Sequence, residues 1–171
     1  IGWLEDGGVI LRFAGPRLAQ DTSVSIDPLL PVHLRQGNRV IGGAMSWQRP
    51  ESLAAFDKSS LFYGLVIPGD IKVNRQVLAQ PSFDLADKTW ARLTDGTPLI
   101  TSEKRGRGWL VLVHTTANAE WSNLPISGLF VEILRRVVNL SQGVAARASG
   151  PPLAPLETID GFGRLGPPLT G

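Results

Sequence analysis

The chain of 171 residues contains no cysteine, which excludes disulfides, thiolate metal sites and thiol nucleophiles together. The compartment stays open, because a domain large enough to bury its own core holds together without a covalent staple. Histidine is nearly absent as well, with His33 and His114 the two copies, so imidazole chemistry has only two addresses. No apolar run approaches the roughly 18 residues of a membrane-spanning helix, and no span is expected within this sequence. An excess of charge of one sign is also missing: Lys+Arg 17 stands against Asp+Glu 15. A protein that neutralises a phosphate backbone needs clustered cations, and the densest run here, Lys104, Arg105 and Arg107, is short and set around Gly106. It reads as a solvated hairpin tip, and nucleic acid is not expected as a partner.

What is present suits one ordinary domain with a tail, since 43% of the residues are hydrophobic and the length allows a real core. Ile1-Gly2-Trp3-Leu4-Glu5-Asp6-Gly7-Gly8 reads as the last turn of a helix closing on glycine. An apolar run over 9–14 follows at once, so the expectation is that the segment starts inside a domain. That run reads as a buried strand, with Gly15-Pro16 turning into a short segment over 17–20 and a polar loop over 21–27. Residues 32–47 suggest a hairpin in which Val32-His33-Leu34-Arg35 and Arg39-Val40-Ile41 flank the turn pair Gly37-Asn38. A helical turn is expected over 51–56. Strands are expected over 71–79, with Ile71, Val73, Val77 and Ala79 on one face, and over 89–93.

Asp95-Gly96 then punctuates the chain before Pro98-Leu99-Ile100-Thr101, and Arg105-Gly106-Arg107-Gly108 forms a turn into Trp109-Leu110-Val111-Leu112-Val113. This last run is apolar at every position, as expected of an interior strand covered on both faces, and is the candidate centre of a sheet. Residues 125–140 predict an amphipathic helix with Ile126, Leu129, Phe130, Ile133, Leu134, Val137 and Val138 on its apolar side. Pro125 and Gly143 suit its two ends. Beyond residue 145 the sequence turns rich in Pro, Gly and Ala and reads as a linker. Even so, Leu153, Leu156, Ile159, Phe162 and Leu165 recur at every third position, and an extended three-per-turn backbone would align them along one edge.

Chemistry is thinly represented. His114 follows the apolar strand, and the carboxyl ends of sheet strands are where α/β proteins assemble sites. It is the most site-like residue, a base for Ser102 or a partner for Glu120 on one reading and a structural histidine bonded to a loop on the other. No serine sits in a G-x-S-x-G elbow, and His33 reads as a sheet-face residue. Two isolated histidines offer no metal-ligand spacing, Gly106-Arg107-Gly108 lacks the rest of a phosphate loop, and Asp84 and Asp87 read as solvated carboxylates. Catalytic, metal and cofactor-binding residues are therefore not assigned, and no cofactor is expected. The most distinctive loop spans 114–125 and carries His114, Asn118, Trp121 and Asn123. These form a candidate interaction loop in which Trp121 offers contact area, or else caps the core while the asparagines turn the chain.

Asp95-Gly96-Thr97-Pro98-Leu99-Ile100, Gly106-Arg107-Gly108-Trp109-Leu110-Val111-Leu112, Trp121-Ser122-Asn123-Leu124-Pro125 and Phe130-Val131 resemble the pattern of large bacterial membrane proteins with a BatA-type, aerotolerance-regulator-like N-terminal region. Within these, residues 1–142 look like the later part of a domain similar to class I glutamine amidotransferases, with Gly7-Gly8-Val9-Ile10-Leu11 as its helix-to-strand step. The stretch 143–171 looks like a connector towards a C-terminal domain of unknown function. The resemblance implies an α/β fold: an incomplete, flavodoxin-like three-layer sheet lacking its first strands, with a β-rich insertion over about 30–93 and an extended C-terminal tail. It also implies a parent in the bacterial inner membrane with its soluble part in the periplasm, membrane association through other parts of that parent, and protein partners within it or within a membrane complex. Amidotransferase activity does not carry over, since that chemistry uses a Cys nucleophile with a His-x-Glu pair, whereas His114 is followed by Thr115 and Thr116. The function expected is a non-catalytic interaction or scaffold domain, related to the envelope. The contrasting reading is a degenerate hydrolase-like or small-ligand-binding domain with its site near His114 and the Trp121 loop.

Overall fold

Residues 2–20, 27–41, 49–141, 158–159 and 165–166 are described by a computed structural model. The short helix α1 (Gly2–Glu5) ends at Gly7, whose φ of +117° places the closing turn where a side chain would be strained. Strand β1 (Val9–Phe13) follows, then helix α2 (Pro16–Gln20), opened by the proline of the expected Gly15-Pro16 turn. Two short strands, β2 (Arg39–Val40) and β3 (Arg75–Gln76), pair with each other. The main sheet is completed by β4 (Thr89–Arg92), β5 (Pro98–Arg105) and β6 (Gly108–Val113). Its order is β1-β6-β5-β4, with β1 parallel to β6 and the other two pairs antiparallel. Helix α3 (Gly128–Leu140) comes next, and β7 (Thr158–Ile159) pairs with β8 (Leu165–Gly166) further on. The described residues form a mixed α/β structure with few helices around a four-stranded mixed sheet.

The apolar run ending at Val113 is interior in both senses, paired on each side and covered on each face. Val111 and Val113 join a cluster with Leu129, Ile133 and Val137 of α3, while Leu112 joins Ala14, Ala19, Leu34, Val77, Ala79 and Trp121 on the opposite face. One layer is thus α3, and the other is α2 with extended segments near 30–34 and 77–79. The β5–β6 link is a two-residue turn with Gly106 at φ +59° in its first position, which matches the twist of the flanking strands. Its far side rests on α1, where Arg107 N–H donates to the Glu5 carbonyl at 2.9 Å.

The helix expected over 125–140 begins later than its periodicity suggests. Pro125 lies in a separate 3-10 turn (Leu124–Ile126), and Ser127 caps α3 by accepting from Phe130 N–H at 3.2 Å. Of the seven expected apolar positions only Leu129, Ile133 and Val137 are fully buried; Ile126 and Val138 are exposed at 77% and 67%. Those three contribute roughly 5 to 9 kcal/mol of gross burial energy, against about twice that for the full stripe.

Within the described part of the hairpin expected over 32–47, residues 32–41, the two halves do not pair with each other. Leu34 bridges Ala79, and Arg39 and Val40 pair with Gln76 and Arg75, so both halves run along the same distant segment instead of folding on each other. Five steps on one side match three on the other, and Gly37, at φ +84°, absorbs the excess while its N–H donates to the Ala19 carbonyl. The pairing buries Leu34 against Leu112 and Trp121, which a local hairpin would not. The helical turn expected over 51–56 is also absent: Glu51 bridges Val73 and Leu53 bridges Leu93, each an isolated bridge, so this stretch runs extended beside the residues that flank β3 and β4. Ile71, Val73, Val77 and Ala79 are all buried, yet the first two belong to the α3-side cluster and the last two to the opposite one.

In the tail, Ile159 opposes Leu165 across an antiparallel pair, which replaces the single three-per-turn edge at these two residues. Leu153, Leu156 and Phe162 lie outside the described residues, as do 21–26, 42–48 and Gly143.

Candidate functional site

The ladder between β5 and β6 continues one step past Val113, with His114 N–H donating to the Leu99 carbonyl at 2.8 Å. The histidine is 0% exposed. Its Nδ1 lies 2.7 Å from the Val77 carbonyl, which can only accept, so Nδ1 carries the proton. Nε2 is then the acceptor for the Thr101 hydroxyl at 2.9 Å. Burial lowers its pKa to about 4, opposed by the Val77 carbonyl, so the ring is neutral at pH 7. His114 also accepts from Val77 N–H through its own carbonyl at 2.9 Å. Its whole bonding capacity joins the main sheet to the segment that carries β3.

The residues proposed to act with His114 are not brought to it. Ser102, one step from Thr101 along β5, points to the other face and is buried. Glu120 is exposed, and its N–H bonds the Asn118 side chain at 3.1 Å. Neither Ser102 nor Glu120 hydrogen-bonds the ring, and Thr101 is the partner that sequence reasoning missed. Nothing local marks Thr101, which lies 13 residues away in sequence.

The candidate interaction loop divides in the same way. Trp121 is 0% exposed, and its carbonyl accepts from both Asn74 and Arg75 N–H, so it fills the core as the blander of its two readings has it. Asn123 fastens the 70–72 turn, its Oδ1 accepting from Lys72 N–H at 2.6 Å and its Nδ2 donating to the Asp70 carbonyl at 2.9 Å. Asn118 is the exposed member, turned back on its own loop by the Glu120 and Thr116 bonds. His33 is exposed, as a surface position in the segment facing Ala79 and Gln80.

Charged groups gather elsewhere. Lys88 bridges Asp84 at 2.7 Å and Glu103 at 3.0 Å, and Arg105 pairs with Glu103. They line a cavity of about 310 Å³ together with Asp27, Leu30, His33 and Ser82. The Lys88 ammonium, helped by Ser82, holds Asp84 down to about 2. Lys88 is raised, its partial burial outweighed by the two carboxylates. Asp84 therefore partners a lysine, not Asp87. The basic run at the hairpin tip is interleaved with acids in the same manner, Arg105 facing Glu103 and Arg107 facing Asp6 at 3.6 Å. Among the described residues no three His, Asp or Glu side chains gather as metal ligands, and no helix is long and apolar enough to cross a membrane.

The remaining feature is an edge. No strand among the described residues pairs with the outer side of β1. Trp109 N–H bonds the Gly8 carbonyl and Ala14 N–H bonds the Val113 carbonyl. Bonding to one neighbour alternates along a parallel strand, so Gly8, Ile10, Arg12 and Ala14 address β6. The N–H and C=O groups of Val9, Leu11 and Phe13 point outward. All five side chains of β1 are half-buried. Beyond its carboxyl end opens a groove of about 620 Å³ lined by Arg12, Phe13, Gly15, Pro16, Arg17 and Leu18.

No protein-family model, curated protein or solved structure matches this chain.

Proposed function

We propose that this chain is a non-catalytic interaction domain of a membrane-anchored bacterial protein, acting as a scaffold in the cell envelope. The observation that carries the reading is β1: among the described residues the main sheet ends on a strand that is apolar at four of five positions and half-buried along its length. Edge strands left to face water are commonly blunted by charge, proline or a bulge, and β1 has Arg12 alone. The state of His114 favours the same reading, because a buried, neutral imidazole with both nitrogens engaged has no lone pair free for a substrate. A flavodoxin-like three-layer frame of the amidotransferase type accords with the parallel β1–β6 pair, α3 on one face and α2 on the other. The resemblance to BatA-type proteins supplies the inner-membrane anchor and the periplasmic side.

The test is photocrosslinking in the membrane-anchored parent, with a photoreactive residue at Ile10 on β1 and controls at Val66 and Asn118. Discrete protein adducts from Ile10, exceeding those of the controls, are expected. Absence of adducts from every position would overturn the reading.

A further inference from the structure

We propose that the groove between residues 52–56 and 64–69 binds a small aliphatic carboxylate, its chain on the apolar walls and its head on Ser52 and Lys72. The groove borders β4 through the Leu53–Leu93 bridge, at the opposite end of the sheet order from β1, and is independent of that edge. Its volume of about 370 Å³ lies at the small end of the range for ligand sites. Leu53, Phe56, Leu65, Ile67 and Pro68 line it. Leu53 and Phe56 belong to the α3-side core cluster, and Leu65 and Ile67 pack on that cluster, so the walls are set on the core itself. A Cβ built at Gly64 or Gly69, which complete the lining, meets nothing within 4 Å. The space beside them is open to a ligand.

Charge sets the chemistry of one end. Ser52 is the one polar side chain in the lining, and its Oγ accepts from Lys72 Nζ at 2.5 Å, which leaves the hydroxyl proton to donate. Lys72 makes no ion pair among the described residues. Neither Glu51, whose carboxylate accepts from the Thr94 hydroxyl, nor Asp70, earlier in the same turn, bridges it. The backbone on both sides is pinned: Asn123 Oδ1 accepts from Lys72 N–H at 2.6 Å, the Ser52 carbonyl accepts from Thr94 N–H at 2.9 Å, and Glu51 and Val73 exchange two bonds. An apolar groove thus ends on two donors, one of them an uncompensated cation. The occupant that matches both parts is an apolar chain with a carboxylate head. A peptide fits less well, because its amides would enter a lining with no other polar side chain to meet them.

The experiment is a titration of the full chain followed by amide NMR, with octanoate as the probe and acetate, 1-octanol and N-acetyl-leucyl-leucine for comparison. Saturable shifts at Gly64, Leu65 and Gly69 are expected with octanoate at millimolar concentration, and none with acetate. 1-Octanol is expected to bind roughly threefold to tenfold more weakly, as an exposed charge pair allows. Lys72→Met is expected to weaken octanoate by the same roughly threefold to tenfold and to leave 1-octanol unchanged, a contrast that a folding defect would not give. Ala55→Phe, at an exposed position in the lining, is expected to weaken both. Absence of saturable shifts with octanoate would overturn the proposal. So would the same shifts with acetate, which would leave only adventitious ion contact at Lys72, and so would equal binding of octanoate and 1-octanol, which would remove the carboxylate. Tighter binding of N-acetyl-leucyl-leucine would overturn it in favour of a peptide terminus. Octanoate binding by this chain but not by the membrane-anchored parent would overturn it in favour of a segment of that parent as the occupant.

Discussion

Thr101 donates its hydroxyl to Nε2 of His114 inside the sheet, 2.9 Å apart, with both residues 0% exposed. Removing the donor leaves a buried acceptor with no partner, which costs on the order of 1 to 3 kcal/mol. Thr101→Val is therefore expected to lower the urea midpoint clearly despite its near-identical shape, and Thr101→Ser to recover most of the loss. Equal stability of the valine variant and the parent would show that the bond contributes nothing.

The same histidine makes stability depend on pH. Its pKa falls from the ordinary 6.5 to about 4 on folding, so between these values the unfolded chain binds the proton that the folded chain refuses. Stability from this group is complete above 6.5 and is lost as pH falls towards 4, by a total on the order of 3 kcal/mol. Urea midpoints from pH 7.5 to 4 are expected to fall with this slope in the parent and less steeply in His114→Gln. Parallel curves would show that another group sets the acid limb.

Arg136 fastens α3 to a loop far away in sequence, one guanidinium nitrogen donating to the Leu61 carbonyl at 2.7 Å and the Tyr63 carbonyl at 2.8 Å. Arg136→Met keeps much of the stem packing and removes both bonds, at a cost of about 1 to 2 kcal/mol. Faster amide exchange around Leu65, whose N–H bonds Phe62 within that loop, is expected together with the lower midpoint. A loss of global stability with unchanged local exchange would point to helix propensity instead of the tether.

Gly108 begins β6 where α1 crosses it. A Cβ there would lie 2.0 Å from the Leu4 carbonyl oxygen and 2.2 Å from that of Gly8, both backbone atoms that cannot swing aside. Gly108→Ala is expected to cost about 3 kcal/mol or more and to release the Arg107 amide from the Glu5 carbonyl, read as rapid exchange. Gly2→Ala, with nothing within 4 Å, is expected to be neutral or stabilising by up to about 1 kcal/mol. Similar effects from both substitutions would mean that α1 does not rest on β6.

Side-chain periodicity made part of this protein legible without coordinates. The unbroken apolar run ending at Val113 marked an interior strand, the spacing of Leu129, Ile133 and Val137 marked the buried face of a helix, and Gly106 marked the turn between β5 and β6. Each follows from where consecutive side chains point on a strand, a helix or a turn, which is a local property. Partner choice is not local. Leu34 and Val40 pair with a segment some 35 to 45 residues away, because doing so buries Leu34 under Trp121 and Leu112. His114 stood out at the carboxyl end of its strand, yet only the tertiary structure supplied Thr101 and Val77 and made it a neutral tie between layers. Trp121 could equally have faced outward by its neighbours alone. Extended backbone offers the same donors and acceptors to any strand, and the winner is the pairing whose side chains share a core.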